Sequence, residues 1–166
     1  VAVVDRHGNA FSATPSDGSS ATPVIPGTGL CPSSRGSQSW THPQHPAALA
    51  PGNRPRLTPN PALVLKDGKL YMPFGSPGND IQPQSMTQVL LNMVVFGMEP
   101  QAAVEAPRFA TYSFPSSSAP HAYHPGRLNI ESRVDAGVLN ALKKLGHQVA
   151  PWPEVEWRAG AVCAVR

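Results

Sequence analysis

Two short apolar runs, Ala62–Lys66 and Lys69–Phe74, are separated by Asp67-Gly68 and followed at once by Gly75-Ser76-Pro77-Gly78-Asn79-Asp80. An Asp-Gly pair between β-prone runs predicts a hairpin, because both central residues of the tight turn need positive φ. The glycine-rich turn then opens a helix predicted over about Gln82–Phe96, where Met86, Val89, Leu90, Met93 and Val94 recur at helical spacing and Gly97 ends the run. A turn of this kind ahead of a helix presents backbone N–H groups that can hold an anion or a developing negative charge. The alternative is that Gly78 only permits the turn.

The other segments are read around this unit. Residues 1–14 predict a hairpin turning at Arg6-His7-Gly8-Asn9, and residues 15–61 are mostly loop, with a turn at Pro26-Gly27-Thr28-Gly29. A short helix is expected from Pro100, stopped by Pro107. A third begins near Asp135, carries Val138, Leu139, Leu142 and Leu145 on one face and ends at Gly146. Arg127–Glu131, His147–Ala150 and Ala161–Val165 read as further strands. Hairpins beside helices, without strand–helix–strand repeats, place the chain in the α+β class as a single domain over residues 1–166.

Composition narrows what such a fold can be. The 20 prolines and 14 glycines gather between Thr14 and Pro61 and between Pro115 and Pro125, away from the periodic segments, so long irregular loops on an ordered frame are expected. A net charge of +3, scattered along the chain, argues against a nucleic-acid partner. No apolar run is long enough to span a membrane, so no membrane partner is expected. Cys31 and Cys163 are read as buried free thiols. The chain opens on a β pattern at Val1 and ends within another at Arg166, and it is expected to be either a processed piece of a larger precursor or one part of a longer chain.

No Gly-x-Ser-x-Gly elbow, Walker loop or Cys-x-x-Cys occurs. His42-Pro43-Gln44-His45-Pro46 and His121-Ala122-Tyr123-His124-Pro125 repeat a His-x-x-His-Pro pattern. Without accompanying carboxylates they read as loop histidines, and no metal site is expected. Arg54 and Arg56 flank Pro55, and Arg35 lies between Ser34 and Gly36. A guanidinium at Arg54 or Arg56 is either a bidentate carboxylate anchor or a structural group that caps a helix C-terminus or pairs with Asp80, and Arg35 is either an anion-binding residue or a loop brace.

Several ordered stretches resemble the γ-glutamyltranspeptidase family: Val3-Val4-Asp5-Arg6 with Gly8-Asn9-Ala10, Pro26-Gly27-Thr28-Gly29, Pro51-Gly52-Asn53-Arg54-Pro55, Leu65-Lys66-Asp67-Gly68-Lys69 and Gly75-Ser76-Pro77-Gly78. Val89-Leu90-Leu91-Asn92, Phe96-Gly97-Met98, Ala106-Pro107-Arg108-Phe109 and Gly146-His147-Gln148-Val149 continue the likeness in order, so it covers essentially the whole chain. The chain is similar to the small, C-terminal subunit of that family.

The resemblance implies an N-terminal-nucleophile hydrolase with a four-layer αββα sandwich, completed by a large subunit cut from the same precursor. Its nucleophile is a new N-terminal threonine whose own α-amine is the base, and it falls about three residues upstream of Val1. Ser16 falls where the family keeps a hydroxyl supporting that nucleophile. Gly78 and Asn79 fall on the Gly-Gly pair whose amides hold the oxyanion, with Asn79 replacing the second glycine. Gln38 stands where true transpeptidases use a carboxylate to hold the substrate ammonium, and Leu57 and Thr58 stand where they use two serines. Ser34-Arg35-Gly36 resembles the Asn-Arg-Gly of acylase-like relatives, which makes Arg35 a candidate acyl-group anchor. The implied activity is amide-bond hydrolysis or acyl transfer on a small-molecule amide, acylase-like, with no cofactor. Ordinary γ-glutamyl transfer and a non-catalytic relative are the competing readings. A dimer of heterodimers is an open further assembly, and the cytoplasm is favoured over the periplasm.

Overall fold

Asp67 and Gly68 both take positive φ, 51° and 75°, and the hairpin they close joins β3 (Ala62–Lys66) to β4 (Lys69–Gly75). In this computed structural model, which describes residues 1–15, 22–54 and 56–166, the chain separates into two compact units. The larger comprises Val1–Thr14, Asn60–Pro115 and Tyr123–Arg166, and the smaller comprises Pro15–Pro59 and Ser116–Ala122.

In the larger unit, β1 (Ala2–Val4) and β2 (Ala10–Ser12) form an antiparallel ribbon. Its turn is held by Asp5, whose carboxylate accepts from the His7 and Asn9 backbone amides. β3 and β4 continue into an antiparallel sheet of order β3-β4-β8, where β8 is only Cys163–Ala164. A second sheet, order β5-β6-β7, uses Phe109–Thr111, Arg127–Glu131 and Gln148–Trp152.

β6 and β7 run parallel, joined through helix α3 (Ala136–Lys144). The hairpins are therefore accompanied by one strand–helix–strand crossover, the connection a parallel pair requires. Asp135 caps α3 by accepting from the Gly137 and Val138 amides. Its apolar stripe is not a buried face: α3 buries no residue, and Val138 and Leu145 are exposed. β5 was not foreseen.

Helix α1 (Gln82–Val94) ends two residues before the sequence expectation, and Gly97 follows at φ 67°. Its Met86, Val89 and Met93 bury against Met72 and Phe74 of β4 and Ala103 of α2 (Pro100–Glu105), forming the main core. α1 also completes the second sheet. Gln84 accepts from the Thr111 amide at 2.9 Å and donates to the Thr111 carbonyl at 3.2 Å. One turn later Gln88 does the same for Phe109, at 3.1 and 2.9 Å. Two side-chain amides thus serve the free edge of β5 as a neighbouring strand would. Ile81, Ala110, Trp152 and Ala159 form a second cluster beside it.

Both cysteines are free but exposed, which corrects the expectation of buried thiols. Cys31 lies in the proline-rich loop outside either core, and Cys163 lies on a two-residue strand too short to enclose it. No helix among the described residues is long and apolar enough to cross a membrane.

Candidate active site

β4 delivers the chain into the Gly75–Asn79 turn, and packing from two directions fixes that turn. On one side the Ser12 hydroxyl donates to the Phe74 carbonyl at 2.8 Å. A Cβ on Gly75 would stand 2.8 Å from the Thr14 methyl, so this position has no room for a side chain. On the other side lies the segment after a short 3-10 turn at Trp157–Ala159. Ala161 donates its amide to the Ser76 hydroxyl at 3.2 Å, and Ser76 in turn donates to the Pro77 carbonyl at 2.7 Å. Ser85, fully buried on α1, donates its hydroxyl to the Ala159 carbonyl.

Gly78 and Asn79 are successive residues of positive φ, 124° and 52°. The first lies outside the region open to ordinary L-residues, and the second lies in the left-handed region that Asn tolerates. They lead through a 3-10 turn, Asn79–Ile81, into α1. In general, consecutive backbone amides in a turn at a helix start can form a concavity of positive potential.

In the smaller unit a 3-10 helix, Ser34–Gln38, is capped by Ser33, whose hydroxyl accepts from the Arg35 amide. It places Arg35 and Gln38 on one hydroxyl: Arg35 Nη1 donates to Thr58 Oγ1 at 2.9 Å, and Gln38 Nε2 donates to the same oxygen at 3.3 Å. Three residues singled out separately in the sequence are thereby brought together. Gln38 is 2% exposed, and its Oε1 has no hydrogen-bond partner among the described residues. Leu57 is exposed beside them. Ser16 lies outside the described residues. Arg54 is exposed.

The histidine motifs do not gather as ligands. Among the described residues no group of three or more His, Cys, Asp or Glu stands together. His45 and His121, one from each motif, stack on opposite sides of Trp40 with ring centroids 4.1 and 3.9 Å away. The sequence does not reveal this sandwich, because its members are dispersed and only folding brings them together.

The family model for gamma-glutamyltranspeptidase matches residues 1–166. The chain belongs to that family. An oxamate amidohydrolase proenzyme from Klebsiella pneumoniae is 34% identical over 146 residues, covering 84% of this chain and 26% of that protein. An Acylase ACY 1 proenzyme from Pseudomonas sp. is 32% identical over 167 residues, covering 99% of this chain and 27% of its own length. A solved structure, LmbA2991HD, superposes with a TM-score of 0.89 at 38% identity, over 98% of this chain and 29% of that one. This γ-glutamyltranspeptidase-family chain thus spans about a quarter of the length of those curated relatives. Its mixed sheets and helices have the fold of the family.

Proposed function

We propose that this chain provides the oxyanion-binding turn and part of the acyl-binding pocket of an amide-bond hydrolase or acyltransferase. The observation that carries the reading is the back-to-back positive-φ pair Gly78-Asn79 at the approach to α1, braced through Ser76 and Ser85. Its relatives named as amidohydrolase and acylase proenzymes support the reaction class.

A threonine about three residues upstream of Val1, exposed by cleavage of a precursor, is the nucleophile. Its hydroxyl oxygen bonds to the substrate carbonyl carbon while its α-amine accepts the hydroxyl proton. The carbonyl oxygen becomes an oxyanion, held by the amides of Gly78 and Asn79. Collapse breaks the C–N bond, the leaving amine takes the proton, and an acyl ester remains on the threonine. Water then attacks the ester by the same route, releasing the acid and restoring the hydroxyl; an amine in place of water gives transfer. Ser16 supports the nucleophile in this scheme.

Arg35 and Thr58 bind a carboxylate or acyl oxygen of the substrate, and Leu57 contributes apolar contact. Gln38 offers a neutral amide oxygen, which suits an N–H or O–H donor and compensates poorly for desolvating an ammonium. The preferred substrate is accordingly an acyl amide without a free α-amine, as an acylase takes, over a γ-glutamyl compound.

The remainder of the precursor is the partner. Val3 and Phe11, paired on the ribbon, and Leu63 and Leu65 of β3 are exposed apolar residues, which supports a covering chain over these strands. Intact mass of the mature small subunit tests the scheme. A threonine as first residue is expected, and a first residue other than Thr, Ser or Cys would overturn it.

A further inference from the structure

Arg108, between α2 and β5, is 7% exposed, yet its guanidinium makes no hydrogen bond or ion pair among the described residues, and its Nε is fully enclosed without an acceptor. A buried cation in this condition is costly, and proteins normally supply it with an anion.

The neighbouring carboxylates are already committed. Glu131 is completely buried, with Oε2 accepting from the Arg108 backbone amide and from Arg133 Nη2, and Oε1 accepting from the Glu156 amide. Glu156 accepts from Arg158 three times, through the backbone amide, Nε and Nη2. Two carboxylates thus stand among three guanidinium groups, and their hydrogen bonds go to the other two, so among the described residues one positive charge is in excess at Arg108. Burial lowers its pKa, against the opposing pull of Glu131, the direction expected of a cation short of a counter-charge.

Arg108 lines a cleft of about 650 Å³. Its walls are largely apolar, with Val104, Val155, Trp157 and Val162 among them, and Trp157 is 76% exposed. Arg158 also lines it, but its charge is balanced by Glu156 at 2.8 Å. One positive charge in excess calls for one negative charge, and apolar walls call for an apolar body beside it.

We propose that this cleft is a binding site for a monocarboxylate carried on an apolar body, with Arg108 as its counter-ion. The carboxylate comes either from a free small molecule or from an acidic residue of the rest of the precursor. The chemistry of recognition is the same in both cases.

The test uses the mature protein with all its subunits, with Trp157 fluorescence as reporter and Trp157→Phe as control for the signal. Hydrocinnamate and its neutral amide are titrated in turn. A saturable response to hydrocinnamate alone, weakened about tenfold or more in Arg108→Gln, establishes a free-carboxylate site. No response to either probe, with Trp157 shielded from acrylamide in the parent and opened in Arg108→Gln, assigns the carboxylate to the polypeptide. The proposal fails if the amide binds as well as the acid, or if the acid binds equally to Arg108→Gln. It also fails if neither probe binds and acrylamide quenching is the same with and without Arg108. Should Arg108→Gln not fold, Arg108→Lys, which keeps the charge while changing its geometry, takes its place in both the probe titration and the acrylamide comparison, with the same outcomes for and against.

Discussion

Gly160 lies so close to Ser85 that a Cβ built on it would stand 2.6 Å from the serine hydroxyl oxygen, and 2.8 Å from that of Ser76. Both serines belong to the frame of the turn that carries Gly78 and Asn79. Gly160 also has φ 89°, where an L-residue is strained. Gly160→Ala is expected to lower stability by about 3 kcal/mol, strain and overpacking together. Denaturant midpoints measure this, and an unchanged midpoint would show that the segment yields easily.

The oxyanion assignment separates two neighbouring substitutions. Gly78 at φ 124° does not tolerate a Cβ without shifting the turn, whereas Asn79 at φ 52° is replaceable by glycine with its amide kept. Gly78→Ala should reduce kcat about a hundredfold, the scale of losing one oxyanion donor, and Asn79→Gly should leave it near the parent value. The reverse order in steady-state kinetics would place the oxyanion elsewhere.

Gln84 and Gln88 give an independent check on the frame. Replacing either by Leu leaves the backbone groups of Thr111 or Phe109 without their side-chain partners, at about 1–3 kcal/mol each. Amide hydrogen exchange at Thr111 should quicken in Gln84→Leu, and that at Phe109 in Gln88→Leu. Equal rates in parent and variants would mean the edge finds other partners.

These glutamines also mark where reading the sequence stops. The β3–β4 hairpin was legible because Asp67-Gly68 is a local requirement for positive φ, and α1 was legible because Met86, Val89 and Met93 repeat on one face. β5 was not, because three residues, Phe109–Thr111, carry no period, and their edge is satisfied by side chains from another element. Cys31 and Cys163 were expected to be buried and are not, and the stripe on α3 is no buried face, because apolar character in sequence does not say whether anything covers it. Arg35, Gln38 and Thr58 were each singled out in the sequence, but their convergence on one hydroxyl was not legible there, and neither was the excess positive charge at Arg108.

Acid should weaken the segment that braces the turn. Hydrogen bonds from the Arg158 side chain, then its backbone amide, hold the Glu156 carboxyl below the usual carboxylate range. A folded-state pKa below the unfolded one contributes stability above the ordinary glutamate value of about 4.3, and that contribution is lost as pH falls through the lower folded value. The stability gap between the parent and Glu156→Gln should be widest near neutral pH and close on acidification below that range. A gap that is constant in unfolding curves across the series would show that Glu156 contributes no pH-dependent stability.

Substrate preference tests the pocket. Gln38→Asp restores a charge that can face an ammonium, and it should raise the ratio of γ-glutamyl anilide to simple acyl amide turnover by about tenfold. An unchanged ratio would take Gln38 out of the acyl-binding site.

The proposed mechanism requires a covalent acyl ester on the threonine about three residues upstream of Val1, with the Gly78-Asn79 amides holding the oxyanion. Rapid acid quench of the mature enzyme during turnover of an acyl amide, followed by mass spectrometry of its N-terminal peptide, tests it directly. The peptide is expected to gain the mass of the acyl group on that threonine. Steady turnover with the acyl mass on another residue, or with none detectable under conditions that slow hydrolysis, would contradict it.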